Sequence, residues 1–418
     1  MTTSLTPAPR FAALQHRNFN LLWAGLIVSN TGTWMQNVAQ GWLVLQLTNS
    51  PLWLGLLGLS FAVPMIILPL VGGAVVDRID RIKLLYITQT GAMLTALTLA
   101  ILTWTGTVHI SYILIASFVS STLLAFDNPA RQALLPDLVP PHDLMNAISL
   151  NSATYTGAAL IGPAIAGALL APLGPGTLFF LNALSYLAVI FALTFMRNVQ
   201  THGNGRQHAS LGKSMLAGLA YAWKNRLILA LLGMSALAAL FGRSYQNLLP
   251  IFARDIWNGG PAGYGILLSA SGGGALVGAF GLASIRSVKR QGAILIVSGL
   301  IFGLTVILFA LSPYFWPGVA LLFIGGVAVT IFGTIISTFI QVAVPNELRG
   351  RVMSLYAITL IGLPSLGALG SGSIAELLGG ISGAPRAVLI GGAIVGVVLI
   401  LVTPIFWNQE INTLKPPA

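Results

Sequence analysis

The chain has 418 residues, of which 56% are hydrophobic and 7% charged, and its mean hydropathy is +0.88. Soluble globular proteins carry about 25% charged residues, so this composition excludes a soluble enzyme or binding domain. The net charge of +11 does not indicate nucleic-acid binding, because the basic residues are divided among short segments rather than clustered on one face. The chain has no cysteine, which excludes disulfides and thiolate metal sites.

Long uncharged runs indicate a membrane protein. No charged residue or histidine lies between Arg17 and Asp77, and one crossing needs about 20 apolar helical residues. No cleavable signal peptide is predicted, since the first apolar run is far longer than a signal core. We predict an all-α membrane protein with twelve transmembrane helices in two six-helix halves. The predicted spans are 18–47, 51–76, 84–105, 110–130, 144–172, 176–196, 227–252, 262–285, 291–312, 316–342, 352–378 and 385–407.

The distribution of lysine and arginine predicts the orientation. With the N-terminus in the cytoplasm, 17 of the 20 basic residues fall on the inner side, as the positive-inside rule expects. We therefore predict a multi-pass protein of the bacterial inner membrane with both ends cytoplasmic. Its parts are the N-terminus 1–17, the first half 18–196, a polar linker 197–226, the second half 227–407 and the C-terminus 408–418.

The two halves repeat each other weakly in sequence. Gly32-Thr-Trp-Met-Gln-Asn recurs as Gly242-Arg-Ser-Tyr-Gln-Asn, and Pro51-x-x-x-Gly recurs at the same offset from Pro261. Repeats in corresponding spans are typical of transporters built from two parallel halves.

The first charged turn carries a motif. The segment from Gly73 to Lys83 reads Gly-Ala-Val-Val-Asp-Arg-Ile-Asp-Arg-Ile-Lys, so that Gly73, Asp77, Arg78 and Arg81 form Gly-x-x-x-Asp-Arg-x-x-Arg. This pattern between the second and third spans resembles the cytoplasmic loop motif of the major facilitator superfamily. Asp80 stands where glycine is commoner, and Asp-Arg-x-Asp-Arg is similar to the exporter branch with macrolide-efflux and siderophore-export proteins.

The resemblance implies a gate at the cytoplasmic side. Asp77 would face the N-terminal dipole of the eleventh helix, and Arg81 would reach the acid at the end of the fourth span, here Asp127. Closing these contacts would favour the outward-facing state; the alternative is an ordinary solvated turn. The gating residues implied are Gly73, Asp77, Arg78, Arg81, Asp127 and Arg131.

The fifth span contains Gly157, Gly162, Pro163 and Gly167 in a pattern that resembles the Gly-Pro motif of exporters in this superfamily. Small residues let helices approach closely, and proline bends a helix by removing a hydrogen bond. The alternative is generic glycine-rich packing in a chain with 47 glycines.

Polar residues follow one helical face of the first span and its counterpart in the seventh. Polar groups inside a bilayer face the protein interior or a water-filled cavity, and helices one and seven line the central cavity in the resembling family. Some of these amides could instead only join helices. We predict a substrate site formed by Asn30, Thr33, Gln36, Asn37, Gln40, Arg243, Gln246 and Asn247.

Arg243 is the one charge predicted inside a span. Arginine at a helix centre costs about 2.5–3.5 kcal/mol on insertion scales, so this side chain needs a counter-charge, carbonyl groups or a ligand. Both a structural pairing and contact with an anionic or electron-rich substrate stay open.

These patterns predict a secondary transporter without cofactor. No phosphate-binding loop is present, so ATP is not the predicted energy source, and no carboxylate is predicted in mid-span. We predict a monomer that exports a small amphipathic organic molecule, drug-like or siderophore-like, by alternating access. Proton antiport is implied by the resemblance, with Asp77, Asp127 and Glu376 as the titrating candidates. The alternatives are an importer or uniporter of a small organic anion and, in another class, a membrane sensor or embedded enzyme.

Overall fold

The computed structural model describes residues 11–68, 79–197, 211–284 and 290–407. Gly73, Asp77 and Arg78 of the loop motif lie outside these ranges. Within them the chain is helical and contains no strand.

Six helices form the first half. They are α1 (Arg17–Thr48), α2 (Pro51–Ile67), α3 (Arg81–Trp104), α4 (Ile110–Leu138) and a helical run, Leu144–Phe195, that comprises α5 and α6. This run breaks at Gly174, whose φ of 72° lies in the left-handed region that glycine adopts without strain. The break separates α5 from α6 and lies between the predicted fifth and sixth spans. Asp80, the departure from the loop motif, caps α3 by accepting a 2.9 Å bond from the Lys83 N–H.

The second half begins after a short helix in the predicted linker, α7 (Leu211–Lys224). It contains α8 (Arg226–Leu237), α9 (Gly260–Ser284), α10 (Gln291–Leu311), α11 (Phe315–Ala343), α12 (Asn346–Leu377) and α13 (Ala384–Phe406).

The seventh span is not the regular helix that we predicted. After α8 come a π turn Ala238–Gly242, a 3-10 turn Ser244–Leu248, three α-helical residues Leu249–Ile251 and a second π turn Phe252–Ile256. Glycines in the neighbouring helices make room for this bulge: a Cβ on Gly367 would lie 2.0 Å from the Leu240 carbonyl oxygen, and one on Gly391 would lie 2.4 Å from that of Phe241. π turns of this kind are frequent at functional sites.

The prediction of twelve membrane-crossing helices is confirmed. In the described ranges, nine helical stretches are long and apolar enough to cross a bilayer, and the one ending at Phe195 contains both α5 and α6. The other two are α2, which is short within the described residues, and α1, whose polar face lowers its hydropathy. Large apolar side chains such as Leu401 (71% exposed) and Ile400 (62%) cover the outside of the bundle, as lipid contact requires.

The two halves meet through two helix pairs, α2 with α12 and α5 with α9. Small residues bring the backbones together: a Cβ on Gly55 would lie 2.8 Å from the Ala368 carbonyl oxygen. Hydrogen bonds also cross between the halves at the end of the bundle that contains Ser50 and Glu376, which we call the Glu376 end. There the Ser50 hydroxyl donates to Glu376 at 2.7 Å, and Arg254 donates to the Leu45 carbonyl at 3.1 Å. We call the opposite end, where α4 finishes, the Asp137 end.

Candidate functional site

A cavity of about 580 Å³ lies between the two halves. Its polar wall comes mainly from α1, α3, α4, α5 and α6 of the first half. The second half contributes Arg243 and an apolar patch from α12, namely Leu360, Ile361 and Pro364. A ligand in this space would therefore contact both halves at once.

All five polar residues predicted on α1 line the cavity. Three of them are engaged: the Gln36 Oε1 accepts a 2.7 Å bond from Asn182, the Asn30 amide donates to Thr154 at 3.3 Å, and the Thr33 hydroxyl donates to the Ser29 carbonyl at 2.9 Å. Asn37 is exposed to the space, and the Gln40 Nε2 is buried without a hydrogen-bond partner among the described residues. The regular α-helix keeps positions three and four apart on one face, which is why the sequence pattern identified this wall.

A buried carboxylate lies in the cavity wall. Asp127 is 2% exposed, and its Oδ1 accepts bonds of 2.8 Å from both the Thr88 hydroxyl and the Gln89 amide. Its Oδ2 forms an ion pair with Arg131, one helical turn further along α4. We predicted Asp127 at the end of the fourth span and no carboxylate in mid-span, and the second prediction is therefore wrong. α4 continues through Pro129 and Pro136 to Leu138, beyond the predicted end at residue 130, so Asp127 lies well inside the helix.

The predicted contact between Arg81 and Asp127 is also wrong. The Arg81 Nη1 donates to Asp137 at 2.6 Å and to the Ala133 carbonyl at 2.9 Å. Asp137 occupies the last turn of α4, next to the start of α3, whereas Asp127 is committed to Arg131 deeper in the bundle. The prediction named the correct helix, α4, but the wrong acid on it. Asp127 lies in the cavity wall, whereas Asp137 lies close enough to the loop to bind Arg81.

Arg243 lines the cavity where the seventh span is irregular. Its backbone N–H donates to Ala238, closing the π turn, and its carbonyl accepts from Gln246 in the 3-10 turn. The guanidinium has no hydrogen bond or ion pair with any described residue, and its Nε is buried. Its positive charge acts on the nearby hydroxyl groups of Tyr155, Tyr245 and Tyr356.

Gln246 and Asn247 do not line this cavity with Arg243. We predicted that the three side chains share a helical face, as their counterparts on α1 do. The π and 3-10 turns change the angle between successive side chains, so the spacing of an α-helix does not apply. A Cβ placed on Gly58 of α2 would lie 3.6 Å from the Asn247 Oδ1, which shows that Asn247 faces the first half near α2.

The Gly-Pro motif of α5 contacts two different neighbours. A Cβ on Gly162 would lie 2.6 Å from the Trp34 Cβ of α1, and one on Gly167 would lie 2.9 Å from the Gly265 Cα of α9. Pro163 is next to this contact, since its carbonyl oxygen would be 2.4 Å from a Cβ on Gly265. Nothing lies within 4 Å of a Cβ on Gly157. Gly167 and Pro163 therefore belong to the seam between the halves, and Gly162 to the packing within one half.

Several cavity residues had no clear sequence signal. Thr88 and Gln89 sit in an otherwise apolar run, and Tyr155 and Tyr186 are single aromatic residues on long helices. The acidic and basic residues at positions 127 and 131 did indicate an ion pair, because opposite charges four residues apart lie on one face of an α-helix.

The chain matches a known family over residues 8–413, described as transmembrane secretion effectors. It is 26% identical over 382 residues to the staphyloferrin A transporter of Staphylococcus aureus (strain NCTC 8325 / PS 47), covering 90% of this chain and 92% of that protein. It is 25% identical over 348 residues to macrolide efflux protein A of Streptococcus pyogenes, covering 81% and 84%. Among solved structures, the nucleoside transporter NupG shares the fold, with a TM-score of 0.75 at 16% identity over 94% of this chain and 100% of that one. These matches confirm a transporter and not an enzyme. The chain belongs to the transmembrane secretion effector family of major facilitator superfamily transporters.

Proposed function

We propose that this transporter exports a small amphipathic organic molecule from the cytoplasm by alternating access. The observation that carries the proposal is the cavity, which is lined by both halves and closed off at the Glu376 end. Polar groups on α1 and the Trp34–Tyr155 aromatic pair, with ring centroids 6.0 Å apart, suit a molecule with polar and apolar parts. The name of one relative includes macrolide efflux, which supports export and a drug-like substrate.

The cavity extends toward the Asp137 end, where Arg131, Gln132 and Asn151 line its wall, and this supports a cavity that opens there. Along the α5–α9 seam, close approaches run from Gly167 against Gly265 to Gly272 against the Ala159 carbonyl. These close approaches lie between the Glu376 end and the middle of α9. The distribution of lysine and arginine assigns this end to the cytoplasm. In this state the site would load substrate from the cytoplasm.

The reverse state would need a lock at the Asp137 end. In the present conformation the described part of the loop motif pairs within one half, through Arg81 and Asp137. We propose that the motif from Gly73 to Arg81 meets the start of α12 when the substrate side closes. Asp77 would then oppose the N-terminal dipole of α12, as Glu376 now does for α2 at the other end.

Proton antiport would use a carboxylate that changes its surroundings between the two states. Asp127 meets this requirement because it is buried in the cavity wall and paired with Arg131. Glu376 meets it at the other end, since its contacts with Ser50 cross between the halves. Protonation of either group would remove the charge on which its contacts depend.

Efflux from cells tests the proposal. A host lacking its own efflux pumps, expressing this protein, is challenged with a panel of fluorescent dyes and antibiotics, with and without a protonophore. We expect lower accumulation of at least one compound, reversed by the protonophore. Higher accumulation of a compound in expressing cells would favour the alternative, an importer or uniporter of a small organic anion.

A further inference from the structure

Resting on the proposed function, we propose that the exported molecule is an organic anion whose acidic group binds Arg243. Three observations carry this assignment: the charge balance of the cavity, the lack of a protein partner for Arg243, and the distribution of unpaired polar atoms.

The charge balance of the cavity is positive. The charged side chains in its wall are Asp127, Arg131 and Arg243. Asp127 and Arg131 neutralise each other in their ion pair, so the guanidinium of Arg243 supplies a net charge of one. Arg243 is half-buried, and a cation without a protein partner in a partly enclosed cavity attracts an anionic ligand, because the protein walls screen its field less than bulk water does.

No carboxylate in the described part of the chain is available to Arg243. The acidic side chains there are engaged elsewhere or lie at the surface. Asp127 binds Arg131, Asp137 binds Arg81, Asp143 binds His16, Asp255 binds Arg254, Glu376 binds Ser50, Asp80 caps α3, and Glu347 is exposed in the first turn of α12. A structural ion pair, the alternative that the sequence left open, therefore has no partner among the described residues.

Unpaired polar atoms are concentrated around this cavity and favour an acceptor-rich ligand. Buried side-chain nitrogens without a hydrogen-bond partner include the Gln40 Nε2, the Arg131 Nε and the Arg243 Nε, and all three residues line the cavity. The buried acceptors without a hydrogen-bond partner are two, the Gln89 Oε1 and the Asp127 Oδ2, and the second of these is ion-paired with Arg131. Donors thus exceed acceptors, which matches a carboxylate or a similar acidic group.

The position of Tyr155 indicates where the body of the ligand would lie. Its ring lines the cavity together with Arg131 and Arg243 and packs against Trp34. An acidic group at Arg243 would therefore place an attached aromatic or apolar body beside this ring pair. Because Arg243 belongs to the second half and Trp34 and Tyr155 to the first, the ligand would join the halves.

Binding of two dyes of similar shape and opposite charge tests the assignment. Carboxyfluorescein (anionic) and rhodamine 6G (cationic) are titrated with purified, monodisperse protein, and fluorescence anisotropy is recorded. We expect carboxyfluorescein to bind the wild type and to lose about 10- to 100-fold in affinity in Arg243→Gln, as for the loss of a charged hydrogen bond. Arg243→Lys, which keeps the charge without the planar fork, should lie between the two.

Two controls make the result specific. Arg349→Gln removes another arginine whose Nε is buried and unpaired but which does not line the cavity. The affinity of this variant for carboxyfluorescein should therefore match that of the wild type. On the wild type, unlabelled benzoate should displace carboxyfluorescein and benzamide should not. This measurement needs no variant, so it tests the assignment even if Arg243→Gln fails to fold. Absence of carboxyfluorescein binding, unchanged affinity in Arg243→Gln, or equal displacement by benzamide would overturn the assignment. If cells still export rhodamine 6G when any of these results is obtained, the proposed export function is kept. Only the assignment of an anionic substrate is then overturned.

Discussion

The Ser50 hydroxyl of one half donates a 2.7 Å hydrogen bond to the Glu376 carboxylate of the other, and the Leu52 N–H donates to the same oxygen at 3.4 Å. Glu376, near the end of α12, thus caps the first turn of α2, where unpaired N–H groups and the helix dipole favour a negative charge. The contact closes the Glu376 end across the seam. In our account it holds the protein in the state that loads from the cytoplasm.

Neutralising this cap should loosen the Glu376 end. Glu376→Gln keeps a hydrogen-bond acceptor but loses the charge, which is worth about 0.3–1 kcal/mol at an exposed helix N-terminus. The chain has no native cysteine, so spin labels at Thr48→Cys and Ser382→Cys report this end alone. We expect a larger population of long distances in Glu376→Gln. Arg386→Gln is the matched control, because Arg386 contacts Leu378 within its own half. Identical distance distributions in Glu376→Gln and the parent would contradict the account.

The opposite lock is tested by Asp77→Asn. Without the charge, the loop motif should bind the start of α12 less tightly, so the Asp137 end should stay open. Transport should then fall, and membrane insertion should be unchanged. Cysteine pairs placed across the Asp137 end should therefore crosslink less than in the parent. Asp80→Asn is the control, since asparagine also caps a helix and the capping of α3 should survive. Equal crosslinking in Asp77→Asn and the parent would show that Asp77 does not form the proposed lock.

Neutralisation of the two candidate carboxylates separates proton coupling from transport. If Asp127 carries the proton, Asp127→Asn should lower gradient-driven export by about tenfold or more, equivalent to ~1.4 kcal/mol. Substrate exchange at zero gradient should survive. The same pair of assays on Glu376→Gln tests the other site. Full gradient-driven export in both variants would show that neither carboxylate carries the coupling proton.

The close seam between α5 and α9 should not tolerate a larger side chain. A methyl group on Gly167 would lie 2.9 Å from the Gly265 Cα, a backbone atom that cannot turn aside. We expect Gly167→Ala to disfavour closure of the Glu376 end and to lower export, with normal membrane insertion. Gly281→Ala, in α9 with open space around it, should export like the wild type. Equal export by both variants would show that closure of this seam is not required.

An anionic substrate makes export sensitive to the membrane potential. Moving one negative charge out of a cell that is negative inside gains about 2.3 kcal/mol per 100 mV. Export of carboxyfluorescein should therefore fall when valinomycin and potassium collapse the potential at constant pH gradient. Export that is independent of the potential would argue against a net negative charge moving with the transport cycle.

The sequence and the structure agree where the backbone is regular. The polar face of α1 was predictable because an α-helix repeats its faces at a fixed spacing, and all five of its residues line the cavity. The same rule failed at Gln246 and Asn247, because packing against Gly367 and Gly391 accommodates π and 3-10 turns that the pattern does not encode.

Asp127 shows a second limit of sequence reasoning. The fourth span was predicted to end at residue 130, but α4 runs on through Pro129 and Pro136, although proline normally disrupts a helix interior. Here α4 continues to Leu138, which buries Asp127 and leaves Asp137 at the end to meet Arg81. Which acid pairs with which arginine depends on the neighbouring helices, and these are fixed only by the fold.

Dye movement in everted membrane vesicles measures export from the cytoplasmic side. In such vesicles the cytoplasmic face points outward, so an exporter accumulates its substrate in the lumen. We predict accumulation of a panel compound on energisation, lost with a protonophore. Accumulation only in right-side-out vesicles would contradict export and establish an importer.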